Sequence, residues 1–338
     1  MTSVAARLRH VASAALAALV LSSLTGASIA EVPAVEAMEI SARPITEFQI
    51  GRAEKMFGPL EFVGGLELTS SSRNLGGLSA FRFLEPGSDF IGVADTGYWF
   101  FGSIVRDGEL RPAGIENFRM VQMVDASGHA IDKKWLADAE GLAVKDGIAT
   151  VGFERDHRVS QFRIDPSNMK AAFRELDFLV PRNELRQNRG FETVAYSAQK
   201  QSLVVVSEKS LDPAGNILAA IIEGPGKGIF TVVRDGAFDI TDGAFLPDGD
   251  LLLLERSFSI ASGVKMRLRR IEGESIAKGK VADGSILFEA NMSYQIDNME
   301  GLDVWQRQDG ALMVSLISDD NHSILQRNLY LEFILHDD

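Results

Sequence analysis

The residues of this chain that could do chemistry are acids placed at the ends of short apolar runs. Asp138 with Glu140, Glu192, Asp242, and Asp297 with Glu300 open such runs, while Asp95, Glu154, Glu208, Glu255 and the pair Asp319 and Asp320 close them. Gathered in one place, these oxygens would suit a hard cation, Ca²⁺ first and Mg²⁺ or Mn²⁺ after it. They cannot be gathered unaided, because two carboxylates about 6 Å apart at an effective dielectric near 20 repel by about 3 kcal/mol. Protons, bound cations or basic side chains must compensate. Basic residues are close at hand: Arg73 and Arg189 precede opening phrases, Arg155, Lys209 and Arg256 directly follow closing acids, and His157 and His322 lie a few residues beyond two of them. Any single acid of this kind is explained as well by a bond to a neighbouring backbone N–H at a turn or strand end. The recurrence at matched positions is what points to a site, with the acids as ligands and Glu154, Arg155, Arg189, Arg256 and Glu300 as the residues closest to chemistry.

Other chemistries find no support. The chain has no cysteine, so thiolate nucleophiles, zinc–thiolate sites and iron–sulfur clusters are excluded and any metal must sit on oxygen or imidazole. There is no GxSxG elbow, no P-loop, no dinucleotide fingerprint and no HExxH among five histidines. The densest polar cluster at a strand end is DDNH at Asp319 to His322. The net charge is −13, and residues 31–338 alone carry 32 basic against 47 acidic side chains. That balance argues against a nucleic-acid partner and against docking on an anionic membrane. The partner expected is a small anionic or ester substrate, and the chain is expected to be a monomer.

The acids need elements to position them, and the sequence supplies a repeat. Short β-type runs (FIGVAD, IATVGFE, SLVVVSE, LLLLER, ALMVSLISD) are separated by turn dipeptides such as Asp107-Gly108, Asp248-Gly249 and Asp309-Gly310. An opening phrase, a strand, a turn, a second strand and an acid recur in five copies, beginning GGLSAF at Gly76, AEGLAV at Ala139, FETVAY at Phe191, TDGAFL at Thr241 and MEGLDV at Met299. A period of about 50 to 64 residues in a β-rich chain predicts an all-β fold, a single β-propeller of five to six four-stranded blades. LEFVGGLEL near the N-terminus and SILQRNLYLEFIL at the C-terminus are placed to share the closing blade, which removes an exposed sheet edge. In a propeller, the start of the innermost strand and the end of the second lie on one face, so the acids would crowd one mouth of the central channel.

The first thirty residues have a different character. Arg7, Arg9 and His10 precede an apolar run from Val11 to Leu24, and Ser28-Ile29-Ala30 places small residues before Glu31. These are the parts of a secretory signal peptide cleaved after Ala30, and the run is too short to span a bilayer. The expected organisation is a signal peptide over 1–30, a flexible lead-in over 31–43 and the propeller over 44–338, in a periplasmic or extracellular protein with no stable membrane anchor after cleavage.

DAEGLA from Asp138, GFERDHRV from Gly152, NRGFE from Asn188 and DNMEGLDVW from Asp297, with GGLSAF and the closing SDDN at Ser318, resemble the phrases of the phytase-like family, also described by an esterase-like activity of phytase. The resemblance covers about Phe57 to Leu335 and implies an exported bacterial propeller related in shape to the calcium-dependent phytases. It carries Asp138, Glu140, Glu154, Arg155, Glu192, Glu300, Asp319 and Asp320 over as site residues. The DADDPA-type and NNFD-type runs of the β-propeller phytases are missing, so the acid-rich rim is shared while the specific phytate pattern is not. Three functions follow as expectations: a Ca²⁺-dependent phosphoester or ester hydrolase, a non-catalytic cell-envelope binding propeller with a structural metal, and a lactonase-like propeller.

Overall fold

The computed structural model describes residues 35–186 and 190–336. Residues 1–30, read above as a signal peptide, and Arg189 lie outside the described residues. Alternating apolar runs punctuated by Asp-Gly turns fold as expected into five antiparallel sheets. Several turn aspartates bond the backbone just ahead of them: Asp107 accepts the N–H groups of Glu109 and Arg111, and Asp309 that of Ala311.

The five sheets are the blades of a propeller, numbered here in chain order. Blade I runs outward through Leu78–Phe83, Asp89–Ala94, Tyr98–Arg106 and Pro112–Gln122. Blade II runs through Ala139–Lys145, Ile148–Phe153, Arg158–Arg163 and Arg174–Leu176. Blade III runs through Phe191–Ser197, Ser202–Leu211, Ile217–Glu223 and Gly228–Val232, and blade IV through Asp239–Phe245, Leu251–Ser259, Gly263–Ile271 and Gly284–Ala290. Blade V takes Asn298–Gln306, Leu312–Asp319 and Asn328–Leu335 from the C-terminal end, and Leu60–Thr69 then pairs on Asn328–Leu335 from the N-terminal side. The two ends of the propeller thus share one blade, and the innermost strands contact one another in a closed ring. Among the described residues there are five blades and no sixth.

The segment expected to be a flexible lead-in carries structure. Val35–Ala37 pairs with the outer strand of blade I, and Ser41–Ile45 pairs with Leu60–Thr69 at the outside of blade V. Each short strand covers an edge that would otherwise present unpaired backbone groups.

The core lies between blades rather than in one central mass. Both faces of each sheet are buried against neighbours, which is why the strands read as near-continuous apolar runs. Leu252, Leu254, Leu316 and Phe333 pack at the junction of blades IV and V, Phe81, Phe100 and Tyr330 at V and I, and Val93, Trp99, Leu142 and Val151 at I and II. Val159, Phe191, Val194 and Val205 fill the junction of II and III, while Val204, Val206, Leu251 and Leu253 fill that of III and IV.

Candidate metal centre

In every innermost strand the register against the second strand slips by one residue at the same place. The extra residue is Ser79 in blade I, Glu140 in II, Glu192 in III, Thr241 in IV and Glu300 in V. A bulge removes one residue from strict alternation and re-aims its side chain. Three of the five re-aimed residues are glutamates.

The second strands answer at a matching position. The residue there is Asp95, Glu154, Glu208, Arg256 and Asp319 in blades I to V. The N–H groups of Asp95, Glu154 and Glu208 donate to the carbonyls of Gly77, Asp138 and Gly190, each at 2.9 Å, and Arg256 and Asp319 pair with Asp239 and Asn298. This double ring brings the acids together. One carboxylate oxygen each from Asp138, Glu140 and Glu154 lie within 4.8 Å of one another, as do those from Glu154, Glu192 and Glu208. Glu154 belongs to both groups. An all-carboxylate donor set of this kind fits a hard divalent cation, and Asp95 adds a buried Oδ1 with no hydrogen-bond partner among the described residues.

Burial and crowding change the acidities. Burial pushes the Glu140 carboxyl well above its usual range, and Glu154, Asp138, Asp95 and Glu300 push it further. Glu192 is raised for the same reasons, by burial first and then by Glu140, Glu154, Glu208 and Glu300. Glu300 is pushed up to about 7 by burial, against the pull of Arg256. Asp319 is pushed up to about 6 by burial and by Asp95. Asp138 is raised by burial, while Arg155 and Lys134 hold it down. Without a cation, the cluster answers its own repulsion partly with protons.

Basic side chains answer the rest. Arg155 Nε lies 2.7 Å from Asp138 Oδ2, and Lys134 Nζ lies 2.6 Å from Asp95 Oδ2. Arg256 donates to Glu300 at 2.6 Å and also to Asn298. Burial works against the charge of Arg256, but Glu300, Glu192 and Glu208 outweigh it and raise its pKa.

Four of the acids expected at the rim are not brought into this cluster. Asp297 precedes the rim pair Asn298 and Asp319 by one residue, and its carboxylate accepts from the backbone N–H and Nε of Arg327 instead. Asp242 follows the bulge residue Thr241 and so stands where blades II and V have Gly141 and Gly301. It is fully buried and takes both guanidinium nitrogens of Arg82 at 2.8 Å. Glu255 precedes the rim position in its blade and is held by Arg267 and by Arg269 at 2.8 Å. Asp320 lies one residue past the ring, where its carboxylate accepts from Asn328 and from the His322 backbone, both at 2.9 Å.

Arg82 is the residue the sequence reading missed. It also donates to the carbonyls of Phe81 and Leu302, each at 2.6 Å, and of Gly243 at 3.1 Å, so one buried side chain ties blades I, IV and V across the axis. Asp303, its Oδ1 4.0 Å from Arg82 Nε, is pushed up to about 6 by burial. A lone arginine inside an apolar phrase (SAFRF) with no acid beside it gave no sequence signal; an Asp at the aligned position of blade V was the only hint.

The phytase-like family profile, described as esterase-like activity of phytase, matches residues 73–322. No curated protein matches the sequence. Among solved structures, the endo-arabinase of Bacteroides thetaiotaomicron VPI-5482 aligns at 12% identity and a TM-score of 0.49, covering 79% of this chain and 96% of its own. The WD40 domain of Toxoplasma gondii coronin aligns at 10% identity and a TM-score of 0.33, covering 88% of this chain and 77% of its own. Likeness at this level fixes no activity.

Proposed function

The chain belongs to the phytase-like family, and from that premise we propose that it is an exported, monomeric, Ca²⁺-dependent hydrolase of small phosphoesters or carboxylic esters, acting at the carboxylate ring. The observation that carries the reading is the pair of oxygen clusters joined through Glu154. Asp138, Glu140, Glu154, Glu192 and Glu208 would hold the cation, which when bound supplies Lewis-acid polarisation of the ester and a water of lowered pKa. Arg155 and Arg256 supply guanidinium groups beside the ring, suited to an anionic ester by their planar fork of donors. Glu300, with a pKa of about 7 and bonds from Arg256 and Asn298, can hold or release a proton near neutrality, where general acid–base catalysis is most effective. The Arg82–Asp242 pair lies across the channel, so substrate and product would use the acidic mouth alone.

The test is a melt followed by a turnover panel. Purified protein is melted in EDTA and then in Ca²⁺, Mg²⁺ or Mn²⁺; a cation at 100 times its dissociation constant adds about 2.7 kcal/mol if it binds the folded state only. Phosphomonoesters, short acyl esters and lactones are then supplied with the stabilising cation. Turnover that disappears in Glu154→Gln, with folding intact, supports the reading. Cation stabilisation without hydrolysis of any of them would leave a non-catalytic binding propeller, and an unchanged melt would remove the cation as well.

A further inference from the structure

Beside the carboxylate ring, on the same face, blades III, IV and V border an open cavity of about 800 Å³. Its wall has two chemically distinct parts. One is charged, with Arg256, Lys209 and Arg234 outnumbering the carboxylates Asp239 and Asp297. The other is apolar: Phe258 on the hairpin of blade IV, Met292 after its outer strand, and Leu325 on the loop that follows Asp319. These three side chains are 71%, 51% and 87% exposed. Large apolar groups left open around one hollow commonly mark a place where something apolar is received. Met292 is also held by local packing. Gly263 has φ +68°, and a Cβ there would lie 2.9 Å from Met292 Cγ, so the hairpin turn closes directly onto this side chain.

The charged part is only partly neutralised. Lys209 and Arg234 share a single carboxylate, Asp239, and the buried Nε of Arg234 has no hydrogen-bond partner among the described residues. Arg256 joins the cavity to the ring, because it lines the first and donates to Glu300 in the second. A ligand with its anionic head at Arg256 would therefore lay its tail against Phe258, Met292 and Leu325.

We propose that this cavity is the subsite for an apolar tail, which makes the preferred substrate class monoesters with one anionic or ester head and an aryl or alkyl group of several carbons, rather than compact polyol phosphates. The assignment rests on the hydrolase reading for the head group, and on the cavity for the tail. Alkyl burial contributes about fourfold in affinity per methylene when complete. With one side open, about twofold to threefold per methylene is expected until the cavity is filled.

The experiment is calorimetric titration of the full mature chain, in Ca²⁺ buffer, with n-alkylphosphonates from methyl to octyl, which cannot be hydrolysed. Affinity rising by about twofold to threefold per methylene, and flattening in both Phe258→Ser and Leu325→Ser, supports the subsite. Both positions are exposed, so the variants keep their fold. Equal affinity along the series, an undiminished slope in both variants, or sedimentation on phosphatidylcholine vesicles in place of chain-length dependence overturns it. Parallel turnover of p-nitrophenyl esters of increasing acyl length separates the two readings. Length-dependent phosphonate binding without any turnover counts against the hydrolase and leaves the subsite. Turnover that ignores acyl length, with a flat phosphonate series, does the reverse.

Discussion

Replacing Glu300 with Gln removes one charge from the ring and keeps an acceptor for Arg256 and Asn298, which makes it a clean probe of the cluster's electrostatics. The carboxyl titrates at about 7 in the folded chain against 4.5 for the unfolded reference. Because the folded pKa is the higher one, the folded state holds the proton more tightly. Its contribution is therefore favourable in acid and is lost as pH rises from about 4.5 through about 7. A shift of this size corresponds to about 3 kcal/mol. Urea unfolding of both proteins in EDTA, at steps from pH 4.5 to 8, isolates the effect as a difference. The wild-type advantage over Glu300→Gln should shrink by up to about 3 kcal/mol across that range. His157, whose pKa is lowered by burial, acts in the opposite direction but cancels between the two proteins. A difference that stays constant, or that grows with pH, would refute the claim that burial and neighbouring acids make the charge at Glu300 unfavourable. Repeating the series in excess Ca²⁺ should reduce the loss, since a bound cation replaces the proton as the compensating charge.

Three further predictions follow, two from acids that left the ring and one from Glu192 within it. Glu255→Gln should lower stability by about 2 kcal/mol or more, because it strips buried Arg267 and Arg269 of their shared carboxylate, while leaving the Ca²⁺-induced rise in melting temperature unchanged; Glu192→Gln should abolish that rise without lowering the melting temperature in EDTA. Arg82→Met should cost about 3 to 5 kcal/mol in urea unfolding, since it leaves Asp242 buried and unpaired, and the double variant Arg82→Met, Asp242→Leu should recover part of the loss.

Much of this molecule was legible from residue order. Alternating apolar runs closed by Asp-Gly turns required strands, and a spacing of about 50 to 64 residues required blades. The terminal runs found their shared blade as expected, since a ring left open would expose an edge. The acids Asp95, Asp138, Glu140, Glu154, Glu192, Glu208, Glu300 and Asp319 meet at one mouth. The paired strands at Val35–Ala37 and Ser41–Ile45 were not legible, because such short, polar segments carry no period and are ordered only by the sheet edges that they cover.

Blade IV shows where residue order stops being sufficient. Read along the chain, TDGAF and LLLLER supply an opening acid and a closing acid like the other blades. In the fold, the bulge falls on Thr241 and the rim position on Arg256, so Asp242 and Glu255 each miss the ring by one residue. Successive side chains on a strand face opposite ways, and a slip of one residue therefore changes a candidate ligand into a buried partner of Arg82, Arg267 or Arg269. Composition and spacing determined that acids would line one mouth of a propeller. Only the pairing register, set by all five blades packing at once, decided that four blades contribute acids to the rim position and the fifth contributes an arginine.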